Sequence, residues 1–131
     1  MDIATSFPSV NSYINLRFSP DGVYLVMINN ERPFLEIYKR SGDSFTKLNN
    51  LSHMPSYSNN PYNADFSPDG VYLAIANEGS PRLIIYKRSG DSFTKLPNPT
   101  VPPLRVNGLA FSLDGNYLVA ATQESPYISM I

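Results

Sequence analysis

The sequence contains no cysteine and no tryptophan, and it has a single histidine, His53. Without cysteine the chain forms neither a disulfide framework nor a thiolate metal site, and it has no cysteine nucleophile. A zinc site or a catalytic triad built on His53 lacks suitable partners, since there is neither a cysteine nor a second imidazole. We therefore expect no catalytic residue, no bound metal and no cofactor, and we interpret the chain as non-enzymatic.

An excess of charge and long apolar runs are also missing. The 10 basic residues are balanced by 11 acidic ones, which leaves no surplus of lysine and arginine to bind phosphates or an anionic membrane. No apolar run approaches the roughly 20 residues of a membrane-spanning helix, and residues 1–6 do not resemble a signal peptide. We expect neither nucleic acid nor a membrane as partner. The compartment stays open, with the virion or the cytoplasm as the expected places.

What the sequence does contain is repetition. The segment 18–25, Phe-Ser-Pro-Asp-Gly-Val-Tyr-Leu, recurs unchanged at 66–73, a shift of 48 residues. The segment 38–48, Tyr-Lys-Arg-Ser-Gly-Asp-Ser-Phe-Thr-Lys-Leu, recurs unchanged at 86–96 with the same shift. A third copy of the first segment, Phe-Ser-Leu-Asp-Gly-Asn-Tyr-Leu, follows 45 residues later at 111–118. Repeats of this period are typical of β-propellers.

Each period contains four strand-like runs separated by turn sequences. In the first period these runs are residues 14–18, 24–28, 34–38 and 44–48. Ser19-Pro20-Asp21-Gly22 predicts a tight turn between the first two runs, and Ser41-Gly42-Asp43 predicts another between the last two. The aspartates that recur in the first turn, Asp21, Asp69 and Asp114, are therefore interpreted as turn residues rather than as ligands. Each period predicts one four-stranded antiparallel blade.

We predict an all-β fold, a β-propeller with three four-stranded antiparallel blades in one domain, residues 1–131. Blade 1 covers about residues 9–50, blade 2 about 51–98 and blade 3 about 99–131. Blade 3 lacks a fourth strand, which we expect an N-terminal strand at about residues 1–6 of another subunit to supply. Two chains would close a six-bladed ring as a homodimer. A homotrimer would have nine blades, above the usual range of about 4–8, and the rival explanation is a fragment of a longer propeller.

The most buried side chains are expected on the second strand of each blade, because its run is apolar throughout. These residues are Leu25, Val26, Ile28, Leu73, Ile75, Leu118 and Val119.

The repeat motifs resemble known propeller families. Phe-Ser-Pro-Asp-Gly-x-Tyr-Leu resembles the first hairpin of WD40-like and lactonase-like repeats. The whole unit resembles repeats of phage-encoded and bacterial propeller proteins of unassigned function, over residues 14–131. The Gly-His and Trp-Asp pairs of WD40 repeats are missing, so the WD40 interaction rules do not transfer. The resemblance implies a structural or recognition module of a phage virion or a bacterial surface assembly that associates with itself.

Two other functions are open. A propeller lectin would bind one sugar per blade, and the lack of tryptophan weakens this alternative although tyrosine can replace it. Some lactonase-like propellers act through acidic and basic residues that converge on the central channel. Glu31, Glu78 and Glu124 lie in or near loops after the second strands, where they crowd one face. Without a supporting histidine cluster or metal, hydrolysis ranks last.

The connections between blades carry the remaining candidates for a partner-binding face. Tyr57, Tyr62 and Asn63 lie in or next to the connection that leads into blade 2, whereas Tyr13 precedes blade 1 and Arg105 precedes blade 3. Exposed tyrosine and asparagine suit recognition surfaces, and loops carry function more often than scaffolds do. With the three glutamates, these residues are the expected contacts for an unknown protein or glycan. The alternative is that the aromatic side chains only pack the loops onto the blades.

Overall fold

The computed structural model describes residues 13–29, 33–49, 51, 61–99, 105–123 and 128–130. Within these ranges the chain is built from β-strands joined by turns. In chain order the strands are β1 (Tyr13–Phe18), β2 (Tyr24–Asn29), β3 (Leu35–Ser41), β4 (Ser44–Lys47), β5 (Pro61–Phe66), β6 (Tyr72–Asn77), β7 (Leu83–Ser89), β8 (Ser92–Lys95), β9 (Val106–Phe111), β10 (Leu118–Thr122) and β11 (Ile128–Met130). Among the described residues there is no helix long and apolar enough to cross a membrane.

The strands form three antiparallel sheets in which neighbours in the chain are neighbours in space. Sheet 1 has the order β1-β2-β3-β4, sheet 2 has the order β5-β6-β7-β8, and sheet 3 contains β9, β10 and β11 with β10 in the middle. The pairing register repeats between the first two sheets, since Leu25 pairs with Tyr38 as Leu73 pairs with Tyr86. The predicted all-β, propeller-like fold with four-stranded antiparallel sheets is confirmed. The predicted N-terminal strand at residues 1–6 lies outside the described residues.

The tight turn between the first two strands of each sheet is stabilised by its own side chains. The hydroxyl of Ser67 donates to Oδ1 of Asp69 at 2.6 Å, and the amide of Val71 donates to the same oxygen at 3.0 Å. Gly70 follows with a φ of 71°, a left-handed conformation that costs glycine little. The same bonds form at Asp21 and Asp114. The recurring aspartates are thus turn residues, as the sequence predicts.

Most of the hydrophobic core lies between the sheets, and a smaller buried cluster that includes Leu25 lies on the other side of sheet 1. Alternate residues of a strand point to opposite sides, so Val26 and Ile28 of sheet 1 pack against sheet 2, where Leu73 and Ile75 face them. We call the side of a sheet that packs on the next sheet its trailing face, and the opposite side its leading face. Six of the seven residues expected in the core are buried, and Val119 is half-buried.

The first strand of each sheet lies beside the first strand of the next. β1 adjoins β5, and β5 adjoins β9. Nε of Arg17 donates to the carbonyl oxygen of Ala64 at 3.2 Å, and the amide of Phe111 donates to Oδ2 of Asp65 at 3.1 Å. Because the first strands meet in this way, the three sheets fan outward from one inner edge, and their loops gather at its two ends.

Candidate functional site

A polar cluster lies where sheets 2 and 3 meet, at the end of the inner strands where β5 and β9 begin. Tyr62 is on β5, Glu78 directly follows β6, and Arg105 directly precedes β9. Nη2 of Arg105 lies 3.0 Å from Oε1 of Glu78, and its guanidinium lies 5.5 Å from the centre of the Tyr62 ring. The guanidinium is therefore held between a carboxylate and an aromatic ring, the two partners that its charge and its planar shape favour.

The cluster is open to solvent on its charged side. The side chains of Arg105 and Glu78 are each 43% exposed, so the ion pair itself adds little stability. Arginine carries five N–H donors, and the salt bridge and ring contact leave donors of Arg105 able to reach a ligand. The arrangement therefore fixes the orientation of the Arg105 guanidinium and leaves it accessible to solvent.

Tyr62 places a neutral aromatic ring beside this charge. Its ring packs among Ala76, Val106 and Ala120, and its hydroxyl oxygen is buried without a hydrogen-bond partner in the described part of the chain. Burial raises the pKa of Tyr62, and Arg105 opposes this increase, so the phenol is protonated at neutral pH. The hydroxyl is therefore enclosed by the protein, whereas the charged side of the cluster faces solvent.

An amide pair lies next to the cluster on the inner strands. Nδ2 of Asn15 donates to Oδ1 of Asn63 at 3.0 Å, and it lies 3.4 Å from the carbonyl oxygen of Tyr62. Asn15 is not among the residues predicted from the sequence, although it occupies the same place in the first repeat that Asn63 has in the second. With Arg17 and Asp65 on the same two strands, this pair makes the inner edge polar.

The structure brings together four of the predicted site residues. Tyr62, Glu78 and Arg105 form the cluster, and Asn63 is its neighbour. Tyr13 is the first residue of β1, and its side chain lies outside the described structure. The other candidates, Tyr57, Glu31 and Glu124, also lie outside the described residues, as does His53.

The cluster occurs at one sheet junction and is not part of the repeat. One period earlier, the positions of Tyr62 and Glu78 are occupied by Ile14 and Asn30, and that of Arg105 by Asn60. The residues that build turns and strands recur in each period, whereas these three do not. The cluster therefore does not belong to the set of residues that recur with the scaffold.

The chemistry of the cluster is that of oxygen-anion recognition. It combines a fixed guanidinium with adjacent amides, both of which can donate hydrogen bonds to a carbonyl or carboxylate oxygen. Among the described residues no group of three or more histidine, cysteine, aspartate or glutamate side chains is placed to hold a metal ion.

These features define a propeller-like domain with a polar site at one end of its inner strands. Residues 3–98 match the protein family described as lactonase, 7-bladed β-propeller. The match covers more than half of the chain, which therefore belongs to this family. A sequence comparison with curated proteins finds no significant match.

Solved structures support the fold. A protein of Bacteroides fragilis assigned as a 6-phosphogluconolactonase superposes on 88% of this chain with a TM-score of 0.74 at 18% identity. A Bacteroides uniformis protein with the same assignment gives a TM-score of 0.69 over 88% of this chain at 20% identity. The periplasmic gluconolactonase of Pseudomonas aeruginosa gives 0.69 over 88% at 18% identity. The chain spans about a third of the length of these proteins, covering 33%, 35% and 34% of them respectively.

The family corrects the predicted function. The prediction of a non-enzymatic structural or recognition module of a phage or bacterial surface is wrong, because the family and these neighbours point to a lactonase-like hydrolase. The same finding contradicts the ranking of the two alternative functions, in which a glycan-binding lectin came before a lactonase-like hydrolase. The lack of cysteine and of a second histidine excludes only the mechanisms that need those residues. A site that activates a substrate through arginine and tyrosine has no such signature.

Proposed function

We propose that this chain is part of a hydrolase that opens the lactone ring of a sugar acid, and that the cluster of Tyr62, Glu78 and Arg105 acts on the lactone carbonyl. Family membership supports the reaction class, and the names of the similar structures support the substrate class. The observation that carries the proposal is the guanidinium of Arg105, held between the Tyr62 ring and the Glu78 carboxylate.

The reaction requires that negative charge be stabilised on one oxygen. Water adds to the carbonyl carbon of the lactone, and the electron pair of the C=O bond moves onto the carbonyl oxygen. When the carbonyl re-forms, the bond from its carbon to the ring oxygen breaks, and a proton derived from the water goes to that ring oxygen. The product is the open-chain hydroxy acid. Positioned hydrogen-bond donors at the charged oxygen lower the barrier of such steps most.

The three residues divide this task. Arg105 directs its N–H groups at the carbonyl oxygen, and its positive charge becomes more favourable as that oxygen becomes an anion. The Tyr62 ring packs against the guanidinium of Arg105 and holds it in place. Glu78 contacts Arg105 rather than the substrate, and it is a positioning residue that keeps the guanidinium from rotating away.

We also propose that the three sheets are three blades of a closed ring. A ring surrounds the inner edge with further first strands and so completes the walls of the substrate site. Two chains with three blades each would give six blades, and the family is described as seven-bladed. Both numbers lie within the usual range of about 4–8.

The test is the hydrolysis of glucono-δ-lactone and of its 6-phosphate by this chain, with the spontaneous rate subtracted. We expect hydrolysis of at least one of the two lactones. Arg105→Ala is expected to lower kcat by about 100- to 1000-fold, the usual effect of removing one oxyanion donor. Lys95→Ala is the matched control, because it removes one positive charge from the outer strand β8. The proposal is wrong if the chain hydrolyses neither lactone, or if the two variants have equal rates.

A further inference from the structure

A second arginine lies beside the cluster of Tyr62, Glu78 and Arg105. Arg82 directly precedes β7, and its Nη1 atom donates a hydrogen bond to the backbone carbonyl oxygen of Glu78. Arg105 contacts the side chain of the same residue, with 3.0 Å between Nη2 and Oε1. Two guanidinium groups, one next to sheet 2 and one next to sheet 3, therefore converge on Glu78.

The loop that carries Arg82 is held by hydrogen bonds at its base. It joins β6 to β7 through residues 78–82. The backbone amide of Asn77 donates to the carbonyl oxygen of Arg82 at 2.9 Å, and Nδ2 of Asn77 donates to the carbonyl oxygen of Pro81 at 2.8 Å. Asn77 itself is fully buried. The fold therefore fixes the position of Arg82 next to Glu78 before any ligand binds, which lowers the entropy that binding costs.

The charges of the two arginines act at the same place. Burial raises the pKa of Tyr62, and the positive charges of Arg105 and Arg82 both oppose this increase. Among the described residues that form this corner, two positive charges surround the one carboxylate of Glu78. The corner therefore carries an excess of positive charge, whose complement is an anion.

Both arginines also have hydrogen-bond donors for such an anion. Arginine carries five N–H donors and no acceptor. Nε and Nη2 of Arg82 have no hydrogen-bond partner in the part of the chain that the structure describes, and Arg105 is partly exposed beside it. Because the planar guanidinium group matches the two oxygens of a carboxylate, a carboxylate is the anion that fits this pair best.

We propose that Arg82 and Arg105 together bind the carboxylate of an open-chain hydroxy acid, and that this acid, as the product of lactone opening, inhibits the protein. The lactone carbonyl is uncharged, and ring opening converts it into a carboxylate next to Arg105. Two guanidinium groups bind that charged group more tightly than the uncharged one. The identity of the acid as the product rests on the proposed lactone hydrolysis, whereas the carboxylate site rests on the two arginines.

The first test is calorimetric titration of the 131-residue chain with gluconate, the acid formed from glucono-δ-lactone. Sorbitol is the matched ligand, because it has a hydroxymethyl group in place of the carboxylate. We expect gluconate to bind and sorbitol not to bind. This comparison needs no substitution, so it decides the question even if a variant at Arg82 is less stable.

The second test assigns the binding to Arg82. Arg82→Gln keeps an N–H donor for the carbonyl oxygen of Glu78 but removes the charge, and it is expected to weaken gluconate binding by about 10-fold, the effect of losing a hydrogen bond to a charged group. Lys87→Gln removes the same charge from an exposed position further along β7, and it should bind gluconate as the wild type does. The thermal midpoints of both variants show whether they are folded.

The third test measures inhibition. Gluconate is expected to inhibit the hydrolysis of glucono-δ-lactone competitively, with an inhibition constant below the KM for the lactone. A chain that binds gluconate but hydrolyses no lactone would support the carboxylate site and contradict the proposed function. Hydrolysis without binding of gluconate would leave the proposed function in place and overturn this inference. Equal binding of gluconate and sorbitol, or equal affinity of folded Arg82→Gln and Lys87→Gln for gluconate, would overturn it as well.

Discussion

The hydroxyl of Tyr24 donates a hydrogen bond to the carboxylate of Asp91, a residue 67 positions further along the chain. Tyr24 begins the second strand of sheet 1, and Asp91 lies in the turn before the last strand of sheet 2. Both residues belong to sequence segments that recur, but their contact is between different segments of neighbouring repeats. This contact joins sheet 1 to sheet 2 and fixes the distance between them.

This contact predicts a pH dependence of stability. Hydrogen bonds from Tyr24 and then Lys39 hold the pKa of Asp91 below its usual value of 3.8. Its ionised form therefore stabilises the fold above the pKa of the unfolded chain, and this contribution is lost as the pH falls through the lower pKa of the folded state. We expect Asp91→Asn to lower the urea midpoint at pH 6 but to match the wild type near pH 2. An equal difference at both pH values would contradict this assignment.

The core predicts a large effect of truncation at Leu73. This side chain is fully buried between sheets 1 and 2, so Leu73→Ala loses its burial and leaves a cavity. The expected loss in the free energy of unfolding is about 2–5 kcal/mol, measured by urea denaturation. Leu113→Ala is the control, because Leu113 is almost completely exposed in a turn. If the two variants were equally stable, the position of β6 in the core would be wrong.

The turn between β5 and β6 predicts a purely conformational effect. Gly70 has a φ of 71°, and a Cβ added there would meet no atom within 4 Å. Gly70→Ala is therefore expected to cost about 1–2 kcal/mol through backbone strain alone. Gly108→Ala is the matched control, because Gly108 is outside the left-handed region and its added Cβ would make an ordinary contact with Ala121. The midpoints of thermal denaturation of the two variants are compared. Equal midpoints would show that Gly70→Ala introduces no backbone strain.

The position of Glu78 predicts an effect on catalysis without an effect on stability. Glu78→Ala releases the guanidinium of Arg105 and is expected to lower kcat by up to about 100-fold, the cost of a misplaced catalytic group. Glu78→Gln keeps a hydrogen-bond acceptor and should restore most of the rate. The thermal midpoint of both variants should remain within experimental error, since an exposed ion pair adds little stability. A lower midpoint with an unchanged kcat would assign Glu78 to the scaffold instead.

Much of the fold could be predicted because its determinants are local. The turn at Ser67, Asp69 and Gly70 is specified by residues within four positions of one another, and the shift of 48 residues relates it to the same turn in sheet 1. The uninterrupted apolar runs of β2 and β6 then predict that both sides of these strands are buried, as they are. Val119 is less buried than expected because it points to the uncovered trailing face of sheet 3.

The site was predictable only in part because its residues come from distant elements. Glu78 and Arg105 were candidates, but nothing in the sequence indicates that they form an ion pair, which depends on how sheets 2 and 3 stack. Asn15 was missed although a comparison of the repeats shows it at the position of Asn63. The sequence signal at Tyr62 is that it differs from Ile14, which occupies the same place in the first repeat.

The identity of the two outer hairpins has a consequence for how such chains change in length. Residues 86–96 are identical to residues 38–48 and pair in the same register. Sheets 1 and 2 therefore end in the same hairpin, which in sheet 2 contacts the preceding sheet. An in-frame duplication of one 48-residue period would add a sheet whose two junctions both have counterparts in the molecule. Stability in such arrays is close to a sum over units and their contacts. Unequal recombination between the gene segments that encode these identical residues can therefore lengthen or shorten the protein by whole sheets, with no new interface to be evolved.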